Sequence, residues 1–170
     1  MAAVVVAVLT SLLLVAPAGT AGAQAAPETS ESQFLQKLNA ERCAAGLAPM
    51  ALHAGLSDDA RRWSATMSGA GSLHHSSTIG ADTAVHLPDW RSAGENVGRG
   101  WSADSLHAAF MASPGHRAYL LGDFNAVGIG VVVDGGGRTW VTVRFARSAS
   151  VAPPSANGPF PDAPPTAYFG

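Results

Sequence analysis

Two β-rich runs in the C-terminal half place the tightest constraint on how this chain folds. The segments "AVGIGVVV" and "RTWVTVRFA" alternate apolar with other residues on either side of the glycine-rich turn "DGGG", a pattern typical of a β-hairpin. Helix-like segments precede this hairpin along the chain. Helices first and a hairpin last predict an α+β fold in which helices pack over an antiparallel sheet.

Three upstream segments carry helix signals. The first begins at a capping box formed by Ser30 and Gln33, the second begins at Ser57, and the third runs from a Ser102 cap to about Ala112. Between the second and third helices, residues 73–100 are predicted to be a loop with at most short elements. Long loops in compact domains are commonly functional, so this stretch is the first place to look for a site.

The third helix is expected to stop at a proline and a glycine. Pro114 and Gly115 follow its last apolar residues, and this pair places His116 just past the helix end. Catalytic or ligand-binding side chains often occur at such a position.

The N-terminal residues 1–26 are predicted to be a secretory signal peptide. The apolar run from Val4 to Ala16 is shorter than the roughly 20 residues of a membrane span, and Ala-x-Ala-like sites follow it. No Lys or Arg precedes the run, so an uncleaved anchor remains the alternative. We therefore expect a secreted protein, cleaved between Ala21 and Pro27, whose mature chain has no transmembrane span.

One folded domain, residues 30–147, and a Pro/Ala-rich disordered tail, residues 148–170, are expected to follow. The single cysteine, Cys43, excludes an internal disulfide within the chain. A net charge of −2 and the lack of a basic cluster disfavour nucleic acid and anionic membrane surfaces as partners. We expect a monomer.

Several motifs stand in a recognisable order. The first helix reads "LNAERCAAGL", and "HHSS", "GENVG", "SPGHR" and the final hairpin follow it. From Phe34 to Ala146 this order resembles the superfamily of cysteine-rich secretory proteins, antigen 5 and pathogenesis-related proteins, called the CAP or SCP domain. The resemblance implies a three-layer α-β-α sandwich with a mainly antiparallel central sheet and a shallow open cleft.

The resemblance also implies which residues meet in that cleft. In the family these are a His followed by Ser or Thr, the Glu of a "GEN" segment and the His of a "GH" segment, which fall on His75, Glu95 and His116. Ser113 stands where the fuller pattern has a second acid, so the acidic site is incomplete. Weaker cleft candidates are His74, which shifts the register by one residue, and Asp104 and His107, which lie one helical turn apart.

The chemistry of these side chains leaves three functions open. The two imidazoles of His75 and His116 with the carboxylate of Glu95 suit a divalent cation such as zinc, with water as the fourth ligand. Such a site would support a metal-dependent hydrolase. The family resemblance instead favours a binding module for a lipid-like, small apolar or cell-envelope ligand. The third function is a wall-associated structural protein that uses the tail as a spacer.

Overall fold

The computed structural model describes residues 27–154, so the predicted signal peptide and the end of the tail lie outside the described residues. Within this range no helix has the length and apolar character needed to cross a membrane. The helices are α1 (Pro27–Ala44), α2 (Ala54–Ala70), α3 (Ile79–His86), α4 (Ala103–Ala112) and α5 (Pro114–Leu120). The strands are β1 (Ala51–Leu52), β2 (Trp90–Gly100), β3 (Ala126–Val133) and β4 (Thr139–Ser148).

The strands form one sheet in the order β1-β3-β4-β2. The short strand β1 pairs in parallel with β3, and the other two pairings are antiparallel. The expected α+β sandwich with a mainly antiparallel sheet is therefore confirmed, with one short parallel pair. Strand β2 lies at the edge of the sheet, so one of its two long edges has no neighbouring strand. The candidate functional site lies beside this edge.

Helices cover both faces of the sheet. Alternate residues of β3, including Val127 and Ile129, pack with Phe34 of α1 and Phe110 of α4 in the main apolar core. On the opposite face, α2 crosses β3 and β4, and α3 packs against β2. Glu95 lies opposite Arg144 in the antiparallel pair of β2 and β4. The next residue on β2, Asn96, faces the opposite side of the sheet.

The hairpin and the helix that begins after Ser102 are confirmed by the structure. Strands β3 and β4 pair as expected, and the Ser102 side chain accepts a hydrogen bond from the Ser105 backbone N–H at the start of α4. Both are local features, so the residues that specify them are close together in the sequence.

The interpretation of residues 73–100 as a loop was wrong, because α3 and the eleven-residue β2 occupy much of this stretch. Three glycines interrupt the apolar alternation that would have indicated a strand. Gly98 is one of them, and a Cβ added there would lie 2.9 Å from Phe110 of α4. The glycine that hides the strand signal thus allows α4 to pack closely against the sheet.

Three helix boundaries also differ from expectation. Helix α2 begins at Ala54, with His53 as its N-cap, instead of at Ser57. Helix α1 begins at Pro27 instead of Ser30. Pro114 begins the helix α5 instead of ending the helical region, so His116 lies within a helix. A proline suits the first position of a helix because its nitrogen has no hydrogen to donate there.

The described chain continues beyond residue 147, where the sequence placed the end of the domain. Ser148 is the last residue of β4 and is buried. The Ser150 backbone N–H donates to Asp89 Oδ2 at 2.7 Å, and Asn125 Nδ2 donates to the Val151 carbonyl at 2.9 Å. These partners are far away in the sequence, which is why composition alone did not reveal them.

Candidate functional site

His75 and Glu95 form a direct pair. His75 lies in the connection between α2 and α3, and its Nδ1 is 3.1 Å from Glu95 Oε1. The same carboxylate oxygen accepts a 3.0 Å hydrogen bond from the Ser76 backbone N–H. The Glu95 side chain is buried, whereas that of His75 is 59% exposed. Because an ionised carboxylate can only accept, neutral His75 carries its proton on Nδ1 and keeps the lone pair of Nε2.

Arg144 lies beneath this pair and holds three carboxylates. Its Nε is 3.4 Å from Glu95 Oε2, an ion contact without hydrogen-bond geometry. Its Nη1 is 2.7 Å from Asp82 Oδ2 and 3.7 Å from Asp59 Oδ2. Only 2% of the Arg144 side chain is exposed. Among the described residues, Glu95 Oε1 therefore has two hydrogen-bond partners, whereas Oε2 has this ion contact and no hydrogen bond.

Arg144 and its acidic partners are functional-site residues that were not predicted from the sequence. Arg144 lies between the apolar residues Val143 and Phe145, at a position where an alternating strand commonly presents a polar residue to solvent, so the pattern did not indicate that it is buried. A charged residue in a buried strand requires a partner of opposite charge. Burial acts against ionisation of Asp82, but hydrogen bonds from Arg144 and Thr78 hold the pKa of that carboxyl below its usual value.

His116 approaches β2 from the other face of the sheet. Its Nδ1 is 2.9 Å from Ser113 Oγ, and its ring stacks on Phe110 with centroids 4.8 Å apart. The His116 carbonyl accepts a 2.9 Å hydrogen bond from Asn96 Nδ2, next to Glu95 on the strand. Partial burial, and then the charge of nearby His75, lower the pKa of His116.

A cavity of about 320 Å³ opens beside the edge strand, and we call it the cleft. His75 and Glu95 form its polar end, and apolar and aromatic residues from α3, β2 and α5 form its walls. Its lining residues are His75, Ile79, Gly80, Trp90, Ala93, Gly94, Glu95 and Tyr119. His116 and Ser113 neighbour the cleft through Asn96 but are not part of this lining.

The three weaker sequence candidates also lie outside the cleft lining. The His74 ring is 3.1 Å from the Ser72 carbonyl and meets Trp63 edge-on. Asp104 is exposed and pairs with Lys37 at 3.6 Å. His107 is buried between α1 and α4, where its ring meets Phe34 edge-on at a centroid distance of 5.0 Å.

We expect His107 to destabilise the fold in acid. Burial is the main cause that lowers the pKa of His107, and the facing charges are Glu41, Lys37 and Asp104. The unfolded chain then takes up a proton more readily than the folded one. The contribution of His107 to stability should therefore be fully present above the histidine pKa of the unfolded chain, about 6.5. It should decrease as the pH falls below that pKa.

The measurement is urea unfolding at pH 7.5 and pH 5. His107→Leu should reduce the acid-induced loss of unfolding free energy by on the order of 1 kcal/mol relative to the natural protein. The same substitution at His74, which is exposed, is the matched control. Identical pH dependence in the His107→Leu variant and the natural protein would contradict the prediction.

The described residues do not fit the three-ligand zinc site that the sequence suggested. Within residues 27–154, no group of three or more His, Cys, Asp or Glu side chains has an arrangement that could hold a metal ion. Glu95 instead contacts His75 and Ser76 through Oε1 and Arg144 through Oε2.

Comparisons with known proteins agree with this architecture. No curated protein matches the chain at the sequence level. The fold is similar to that of an outer surface protein from Borrelia burgdorferi, at 13% identity and a TM-score of 0.65, covering 71% of this chain and 94% of that one. At this identity the likeness shows the fold alone.

Two longer bacterial proteins contain a similar domain. An extracellular protein with an SCP domain from Bacillus anthracis has 25% identity and a TM-score of 0.61, covering 72% of this chain and 41% of that one. A cysteine-rich secretory protein from Staphylococcus aureus has 16% identity and a TM-score of 0.60, covering 72% and 39%. The chain thus spans about two fifths of these two relatives.

A family model gives the assignment. The model of the cysteine-rich secretory protein family, or CAP, matches residues 35–145, which is more than half of the chain and includes His75, Glu95 and His116. The chain therefore belongs to the cysteine-rich secretory protein family.

Proposed function

We propose that the protein is a secreted binding module that holds a small, lipid-like or cell-envelope ligand in the cleft. The observation that carries this proposal is the cleft itself, which has apolar and aromatic walls and one polar end. Its volume of about 320 Å³ lies at the lower end of the range of known ligand sites, roughly 300–1,000 Å³. The apolar run at the N-terminus supports export.

The two ends of the cleft would contact different parts of such a ligand. Trp90, Ile79 and Tyr119 would cover an apolar body. His75 would accept a hydrogen bond at Nε2 from a hydroxyl group of the ligand, because Glu95 holds the proton on Nδ1. Glu95 would orient His75 through the contact between its Oε1 and His75 Nδ1.

The alternative functions have less support. A hydrolase that used Glu95 as its general base would need a carboxylate oxygen that can receive a proton from water. Glu95 Oε1 already accepts a hydrogen bond from the Ser76 backbone and contacts His75, and Oε2 lies 3.4 Å from the buried cation of Arg144. The wall-associated structural function depends on the tail, most of which lies outside the described residues.

Filling the cleft should abolish binding. Ala93→Leu adds an apolar side chain in the cleft lining, and the matched control Ala84→Leu adds the same group at an exposed position on α3. The probe is N-phenyl-1-naphthylamine, a neutral apolar dye whose binding is followed by energy transfer from tryptophan. We expect Ala93→Leu to raise the Kd at least about tenfold and Ala84→Leu to leave it unchanged.

A melting curve for each variant provides the folding control. Equal dye affinity in the natural protein and in correctly folded Ala93→Leu would show that the cleft is not the binding site.

A further inference from the structure

A second and larger cavity lies where the end of α1 meets the segment before β3 and the chain after β4. Its volume is about 650 Å³, and it shares no lining residue with the cleft. We call it the α1-end cavity. Leu47, Pro49, Phe124 and Val151 supply apolar side chains to its wall, and Arg42 and Arg147 supply two cations.

Arg42 is unusual among the buried charges of the described residues. Its side chain donates to four backbone carbonyls: from Nε to Ala48 at 2.9 Å, from Nη1 to Leu120 and Gly122 at 2.9 Å each, and from Nη2 to Phe124 at 3.2 Å. These bonds use four of its five N–H donors, and all four acceptors are neutral. Within residues 27–154, no carboxylate forms an ion pair with Arg42.

Arg144, also a buried arginine, differs from Arg42 in its partners. Arg144 and Arg42 are 2% and 3% exposed, yet Arg144 has three carboxylates within 2.7–3.7 Å. Buried charges are generally paired, because an unpaired charge removed from water is costly. Burial accordingly lowers the pKa of Arg42, and Asp123 opposes this only in part.

The rim of the cavity adds a second cation with a weak partner. Arg147 Nε is 3.8 Å from Asp123 Oδ1, and the Arg147 and Asp123 side chains are 44% and 89% exposed. Exposed pairs of this kind contribute little, so an incoming anion can replace Asp123 at Arg147. The two arginines and one aspartate leave the lining with a net positive charge.

From the difference between Arg42 and Arg144, and from the two cations in the lining, we infer that the α1-end cavity is a second binding site, separate from the cleft. Its ligand would be an organic carboxylate with an apolar body. The carboxylate would lie between Arg42 and Arg147 and complete the missing charge pairing. The apolar body would cover Leu47, Phe124 and Val151. This site goes beyond the proposed function, and neither depends on the other.

The test uses the full chain and octanoate as the probe. Octanol has the same apolar body without the charge, and acetate has the charge without the body. Isothermal titration should show saturable binding of octanoate, with octanol and acetate each weaker by at least about tenfold. Equal binding of octanoate and octanol would overturn the inference, because the arginines would then contribute nothing.

Substitutions locate the site without disturbing Arg42, whose four bonds hold the fold together. Arg147→Glu reverses the charge at the rim and should weaken octanoate binding about tenfold or more. Val151→Asp places an acid in the wall and should do the same. The matched control Arg138→Glu, at the far end of the hairpin where Arg138 stacks on Trp101, should leave the affinity unchanged. Unchanged binding in both cavity variants would refute the site.

Pro153 lines the cavity, and residues 155–170 come soon after it in the sequence. The effect of removing these residues on octanoate binding should therefore be measured. A version that ends at Pro154 should bind octanoate with the same affinity as the full chain. Binding by the shortened version alone would overturn the inference for an external ligand, because the chain's own C-terminal residues would then occupy the cavity. The cleft dye should respond to neither Arg147→Glu nor the truncation.

Discussion

Arg144→Met is expected to lower the free energy of unfolding by about 3–5 kcal/mol, because it leaves buried carboxylates without their common cation. Asp59 and Glu95 are both buried, and Asp82 is partly exposed. Methionine has a similar length and fills most of the volume, so the loss reports the charge and not a cavity. At this scale the melting temperature should fall by roughly 10 °C or more.

Arg147→Met is the matched control on the same strand. Arg147 is 44% exposed and has only its distant contact with Asp123, so its replacement should change stability by about 0.5 kcal/mol or less. Urea unfolding at pH 7.5 gives both values. A loss below about 1 kcal/mol for Arg144→Met would mean that the three carboxylates find other partners and that Arg144 does not organise them.

The same network explains why the cleft keeps its shape. Arg144 joins β4 to Asp59 on α2, Asp82 on α3 and Glu95 on β2, so it connects the elements around the polar end of the cleft. Glu95 in turn orients His75. Folded Arg144→Met should therefore bind the cleft dye more weakly, whereas Arg147→Met should bind it like the natural protein.

Gly130→Ala is expected to cost about 2–4 kcal/mol, because the backbone of α2 lies directly against this strand position. An added Cβ would lie 2.6 Å from the Ala60 carbonyl oxygen and would overlap the backbone nitrogen of Arg61. Neither atom belongs to a flexible side chain. The hydrogen bond from Ser64 Oγ to the Gly130 carbonyl, 2.9 Å long, holds the helix at this distance.

Gly135→Ala in the turn of the same hairpin is the control. An added Cβ there meets nothing within 4 Å, so the variant should have almost the natural stability. Thermal or urea unfolding of both variants checks the prediction. Comparable stability for Gly130→Ala and Gly135→Ala would show that α2 can move away from the sheet without cost and that the contact is not a close one.

The sequence by itself determined the elements whose signals are local. The alternation in β3 and β4 indicated the hairpin, and Ser102 indicated the start of α4, because neighbouring residues specify strand alternation and helix capping. The order of the motifs around His75, Glu95 and His116 also identified the family. These features depend on residues that are close in the chain or on a pattern that can be read along it.

Only the tertiary structure decided β2, α5 and the environment of Glu95. Two glycines of strand β2 lie against α4 and a third lies against Tyr119 of α5. The identity of β2 as a strand depends on its pairing with β4 about 50 residues later. The role of Arg144 depends on carboxylates from three other elements. Burial turns an ordinary arginine into one that requires partners, and which side chains are buried together is a property of packing that no local pattern expresses.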